Sequence, residues 1–209
     1  MKDTKTEILN AAEHLFASRG PNATSLRQVI SRAKVNLAAI HYHFGSKESL
    51  LQAVLSRRLV PLNAGRLALL DEYELKSGKR AVPLPKVLEA LVGPALRLSR
   101  DSQQGGAVFM RLLGRCVLEP DEKIQTMLNQ QFHYVLERFT PALQRALPNL
   151  PPVDFFWRIH FLVGSMAHTM ADSERLRSIS SGLCDPDDTE GTIRRLVTFL
   201  NAGLKAKAD

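Results

Sequence analysis

The chain is poor in cysteine, tryptophan and long apolar runs. Only Cys116 and Cys184 occur among 209 residues. Their spacing matches no disulfide framework, zinc site or redox motif, so two reduced thiols in a cytoplasmic protein are expected. No apolar run approaches the roughly 18 residues of a membrane span. The longest, Phe155 to Met170, is broken by Arg158, His160 and His168, and no membrane partner is expected. The opening residues, Met1 to Glu7, are charged and lead into no apolar segment, so no signal peptide is expected. Alternating apolar and polar stretches rich in β-branched residues are absent, which excludes strands. There is no Gly-rich phosphate loop, no nucleophile elbow and no carboxylate pair in an apolar setting. Catalytic residues and cofactors are therefore expected to be none. No metal is expected either, because His41 and His43 stand two apart on one short helix, where they cannot share an ion.

What the chain does have is an ordinary globular composition, 44% hydrophobic and 23% charged, and enough length to bury a core. Its net charge is +7, and the excess lies early. Residues 1–60 hold nine basic side chains (Lys2, Lys5, Arg19, Arg27, Arg32, Lys34, Lys47, Arg57, Arg58) against four acidic ones (Asp3, Glu7, Glu13, Glu48). A basic first third on a nearly balanced body suits a polyanion-binding head, or else a solvated surface rich in lysine.

The apolar periodicity is helical throughout. Ile8, Leu9, Ala12, Leu15 and Phe16 make the stripe of a first amphipathic helix, stopped by Gly20-Pro21-Asn22. Thr24 or Ser25 can cap a short second helix, with Gln28 completing a capping box from Ser25. After Lys34-Val35, Asn36 is a good N-cap for a third short helix, Leu37 to Phe44. Gly45 suits the end of that helix, and Ser46 caps a fourth from Lys47. Pro61 is expected to kink or interrupt the fourth. Further helices are expected near 86–100, 106–118, 121–146, 153–176 and 189–206. The fold class is all-α, with an N-terminal helix-turn-helix head, residues 1–50, joined by a shared helix to a larger helical domain, residues 51–209.

Two short helices on a tight turn, with longer helices before and after, form a helix-turn-helix arrangement. The third helix is too short to persist alone. It is expected to pack Val35, Leu37, Ile40 and Phe44 inward and to present Asn36, Ala38, Ala39, His41, Tyr42 and His43. The small Ala38 and Ala39 allow close approach to a groove wall. The N-terminal backbone amides at Ser46-Lys47-Glu48 suit a phosphate, and Lys47 adds charge beside them.

Tyr42-His43-Phe44-Gly45-Ser46-Lys47, preceded by Ser25-Leu26-Arg27 and Val35-Asn36, closely resembles the DNA-binding signature of TetR-family transcriptional regulators. The resemblance covers about residues 4–55. It implies a cytoplasmic, homodimeric, non-enzymatic regulator, a repressor in most of the family. The implied partners are a pseudo-palindromic double-stranded DNA operator and a small apolar effector. It implies phosphate contacts from Tyr42, His43 and Lys47, with Ser25 and Arg27 in the same DNA-binding set, and Asn36, Leu37, Ala38 and His41 facing base edges. On residue chemistry alone His41 is a base reader or a solvated side chain, and Arg27 a phosphate contact or merely exposed. The family usually has Gly where this chain has Lys34. A left-handed backbone there costs a non-Gly residue roughly 1–2 kcal/mol. Either the turn relaxes or Lys34 is tolerated for a phosphate contact.

A finer resemblance, to the PsrA-like branch whose members respond to long-chain fatty acids, rests on Asn36-Leu37-Ala38-Ala39, Phe109 to Gly114, and Leu150-Pro151-Pro152 with Phe156-Trp157-Arg158. It implies a long-chain fatty acid or acyl thioester as effector. The aromatic and Met residues of the second domain form an ordinary core or line a cavity. Phe109, Met110, Leu113, Phe132 and Phe161 are the candidate lining. Arg158 pairs with Asp154 one turn earlier or meets a ligand carboxylate, and Arg111 and His160 are expected in the same apolar surroundings. A dimer interface is expected on the last two long helices, through Phe156, Val163, Ala167, Leu196, Phe199 and Leu200. The rival reading is an architectural or protein-docking DNA-binding module without an effector.

Overall fold

The computed structural model describes residues 3–101, 103, 105–171 and 173–207. Lys2, counted above with the basic residues, and residue 172, within the helix expected at 153–176, lie outside them. Among the described residues every regular element is a helix. None is long and apolar enough to cross a membrane.

The chain divides into two compact units, residues 1–61 with 105–131, and residues 62–104 with 132–209. The first contains α1 (Thr4–Arg19), α2 (Leu26–Ala33), α3 (Leu37–Phe44), the first half of α4 (Lys47–Ser77), α6 (Gly106–Leu118) and the start of α7 (Glu122–Ala146). This grouping differs from a division after residue 50, because α6 packs on α1. Arg115 of α6 donates to the Ser18 carbonyl at 3.2 Å, and Asn22 donates to Glu119 at 3.0 Å. The unit's core joins Ile8, Leu15 and Phe16 of α1, Val29, Ile40, Leu50, Val54 and Leu55 to Phe109, Leu112 and Cys116 of α6, all buried. One carboxylate sits at the edge of this core. Glu13 is buried, and Arg57 and Arg58 of α4 reach it at 2.5 and 3.2 Å. Two of the nine basic residues of the first third thus share one carboxylate inside the unit, which offsets one of their two charges.

Pro61 neither interrupts nor ends α4, which continues to Ser77. Proline removes one N–H donor to the carbonyl four residues back. Pro61 is exposed, so water can satisfy the carbonyl that it frees.

The second unit contains the rest of α4 and α7 with α5 (Leu84–Arg100), α8 (Pro152–Ala171), α9 (Ser173–Ile179) and α10 (Thr189–Lys205). Its core includes Leu70, Val87, Leu88, Leu96, Phe139, Leu143, Phe155, Leu162, Leu196 and Leu200. Leu196 and Leu200 are therefore buried within the unit and are not available as dimer surface. Asp188 caps α10, its carboxylate accepting from the Gly191 N–H at 2.8 Å. That bond holds its carboxyl below the ordinary range. Glu190 in the first turn of α10 grips Arg97 of α5 through two bonds, at 2.7 and 2.9 Å.

Arg158 does not pair with Asp154. Its Nη1 donates to the Leu204 and Ala206 carbonyls at 2.8 and 2.7 Å. The last carbonyls of α10 have no intrahelical donor, and a guanidinium there answers both their hydrogen bonding and the negative end of the helix dipole.

Candidate nucleic-acid interface

Helices α2 and α3 are built by their caps. Ser25 Oγ accepts from the Gln28 N–H at 3.3 Å while Gln28 Oε1 accepts from the Ser25 N–H at 2.9 Å, a complete capping box. Thr24 has a different task from its neighbour. It is buried, and its hydroxyl donates to the Gly20 carbonyl at 2.8 Å, closing the end of α1. Asn36 Oδ1 accepts from the Ala39 N–H at 2.9 Å and starts α3.

Between the two helices Lys34 adopts φ 55°, ψ 43°, so the turn does not relax. The Lys34 N–H bonds to the Ile30 carbonyl, and the Val35 N–H reaches the same oxygen at 3.2 Å. The lysine is exposed, and its backbone carries the strain that glycine would avoid.

The α3 surface follows from about 100° of rotation per residue. With Ile40 set inward and fully buried, Ala38 and Tyr42 fall on the opposite arc and His41 on one flank. All three are exposed, Tyr42 at 85%. Ala39 and His43 fall on the other side and Phe44 close to Ile40, and all three are half-buried. Leu37 was expected on the inward side as well as facing bases. It is 52% exposed, although it lies only about 60° from Ile40 around the helix, on the His41 side. Tyr42 and His43 meet edge to face at 5.0 Å, which orients both rings.

Several of these groups are already engaged. His41 Nδ1 lies 3.0 Å from the Gly45 carbonyl and donates to it, which leaves Nε2 outward. Lys47 Nζ donates to the Pro21 carbonyl at 3.2 Å. At the start of α4, Ser46 Oγ accepts from the Ser49 N–H at 3.1 Å. The Glu48 carboxyl is held below its ordinary range by its own backbone N–H and by the Ser46 hydroxyl. Ser25 and Arg27 are exposed at the start of α2.

This capped, short-turned helix pair agrees with comparisons to known proteins. A model of the family described as bacterial regulatory proteins, tetR family, matches residues 8–54. A second, described as a tetracyclin repressor-like C-terminal domain, matches residues 89–203, more than half of the chain. The chain belongs to the TetR family. An HTH-type transcriptional repressor of Mycobacterium tuberculosis is 48% identical over 54 residues, which are 26% of this chain and 29% of that protein. The chain thus aligns with less than a third of that relative's length. Among solved structures, GusR of Salmonella enterica shares 19% identity at a TM-score of 0.63, covering 97% of this chain and 96% of that one. The transcriptional regulator FadR of Bacillus subtilis, in complex with stearoyl-CoA, shares 13% at 0.64, covering 95% and 98%. These matches establish the TetR family without placing the chain in the PsrA-like branch.

The expected ligand residues of this TetR-family chain are divided between the units. Phe109 and Met110 are buried and Leu113 half-buried in the first. Phe132 is half-buried in the second, where Arg158 is occupied by α10 and Phe161 is 59% exposed. Phe161 is therefore surface, stacked on Trp157 at 5.8 Å. Arg111 and His160 are also exposed rather than embedded. The periodicity misled because α8 is apolar on two faces. Phe155, Ile159, Leu162 and Met166 turn to the core, while Val153, Phe156, Trp157, Phe161 and Val163 face outward.

Proposed function

We propose that the protein is a DNA-binding transcriptional regulator of the TetR type that acts as a homodimer and releases its operator on binding a small apolar effector. The observation that carries the DNA reading is the outward arc of α3, capped at both ends and held against Ile40. Asn36, Leu37, Ala38 and His41 are assigned to base edges. Ser25, Arg27, Tyr42, His43 and Lys47 are assigned to phosphates, which position the helix without reading sequence. The exposed Ser25 hydroxyl still has its proton to donate, since its oxygen is the acceptor in the capping box.

The dimer reading is supported by the outward stripe of α8, with Phe156 at 65% and Trp157 at 58% exposure, and by Phe199 of α10 at 68%. A helix apolar on both faces implies a second covering surface. One recognition helix reads too few bases for a genome, so a two-fold assembly on a pseudo-palindrome follows.

The proposed effector is a long-chain fatty acid or its thioester. Support comes from the PsrA-like segments of the sequence and from the fold shared with a regulator bound to stearoyl-CoA. A ligand releases DNA only if it binds the DNA-incompetent form more tightly. The test is selection of DNA by the purified protein, followed by anisotropy of the selected complex as oleate is added below its micelle concentration. Enrichment of a pseudo-palindrome and its release by oleate are expected. No enrichment overturns the regulator reading; release by polar metabolites alone overturns the acyl effector.

A further inference from the structure

Arg66 of α4 is a buried cation without a counterion among the described residues. It is 3% exposed in the second unit, on the same helix as the buried Leu62 and Leu70. Its Nε donates to the Leu91 carbonyl at 2.9 Å, and its Nη1 to Asn63 Oδ1 at 3.1 Å. Both acceptors are neutral. Among the described residues no carboxylate pairs with Arg66. Burial alone draws its pKa down to about 10. Other arginines of the chain are supplied differently: Arg57 and Arg58 share Glu13, and Arg138 has Asp71 and Glu74.

A guanidinium withdrawn from water and met only by neutral oxygens is costly to keep, and replacing such an ion by an apolar side chain is often neutral or stabilising. Two neutral bonds would position a tie between α4 and α5 equally well if they came from an uncharged donor. What a guanidinium adds is a planar set of five donors suited to a carboxylate. We propose that Arg66 anchors the acid group of the effector, which makes the preferred ligand a free monocarboxylic acid rather than its thioester. This rests on the acyl-effector reading above. A carboxylate neutralises the buried charge. A thioester carbonyl would leave it uncompensated and would have to bring a bulky polyanionic carrier up to a buried side chain. The half-buried residues packed against the core of the second unit include Leu67, Leu91, Met166 and Met170, side chains that can adapt to a flexible chain.

The test uses the full chain with three probes of one tail length: decanoate, methyl decanoate and decanol. Titration calorimetry should show the wild-type protein preferring decanoate over the ester by about tenfold or more. Arg66→Met should retain ester binding and reduce that preference to less than about threefold, and Arg66→Lys should keep part of it. A variant that keeps the full preference overturns the anchor, as does a wild-type protein that binds all three alike. Binding of none of the three overturns the anchor and the acyl-effector reading together. If Arg66→Met does not fold, carbon-13 NMR of carboxyl-labelled decanoate on the wild-type protein decides. A bound acid that titrates below the free acid supports the anchor, and one that titrates at or above it overturns it.

Discussion

The Lys47 ammonium donates to the Pro21 carbonyl at 3.2 Å, tying the first turn of α4 to the turn between α1 and α2. The Asn22 carbonyl lies further away, at 3.5 Å. The cation proposed for a phosphate is therefore already parked on backbone oxygens, close to Ser25 in sequence, and a phosphate contact would exchange these neutral acceptors for an anionic one.

Lys47→Ala is expected to weaken binding to all DNA sequences about evenly and to lower the log–log salt slope by about 1. His41→Ala and Asn36→Ala should instead change which bases are preferred. Anisotropy titrations at several salt concentrations, on selected and random duplexes, check this. An unchanged slope for Lys47→Ala would remove Lys47 from the phosphate set.

Lys34→Gly is expected to stabilise the protein by about 1 kcal/mol. Relief of the left-handed backbone exceeds the added flexibility of glycine in the unfolded chain. The urea midpoint should rise with an unchanged slope. If Lys34 also touches phosphate, the same variant should bind DNA more weakly although it is more stable.

Glu13→Gln leaves two guanidiniums facing a neutral amide in the first unit. A loss of about 2–3 kcal/mol is expected, below the 3–5 of a fully sealed pair, because the Arg57 and Arg58 side chains keep 24% and 18% exposure. Chemical denaturation measures it, and a change under about 0.5 kcal/mol would mean that the cluster is solvated.

Burial pushes the Cys116 thiol up to about 12, so at pH 8 it is protonated as well as enclosed, and the thiolate is the reactive form. Cys184 is exposed. One thiol per chain should react with a disulfide reagent in the native protein at pH 8, and two after unfolding. Cys184→Ser should abolish the native reaction.

Phe156→Asp is expected to leave the monomer folded and to shift sedimentation from dimer to monomer at micromolar concentration. The residue lies on the outward face of α8, where a single charge in an apolar interface is strongly opposed. A dimer that withstands both Phe156→Asp and Phe199→Asp would place the interface elsewhere.

Local rules were enough for the head. The capping box of Ser25 and Gln28, the Asn36 cap and the glycine after Phe44 each act within a few residues, so the sequence by itself determined where α2 and α3 begin and end. The positions of nearly all the long helices followed in the same way from periodicity and proline breaks. The signature from Tyr42 to Lys47 likewise led to the TetR family, because it is one uninterrupted segment.

Partner choice was not legible, because it depends on which surfaces meet. The sequence allowed Arg158 an acid one turn away, but the carbonyls at the end of α10, far off in the chain, took it. Periodicity marked Phe155, Phe156, Trp157 and Phe161 alike as apolar, and only packing sent Phe155 inward and the other three outward. Leu59, Leu62 and Leu70 form a helical stripe that includes Arg66, so its burial could have been read in the sequence. That no acid among the described residues comes to meet it was decided only by the tertiary structure, since a counterion can be supplied by any element the fold brings near.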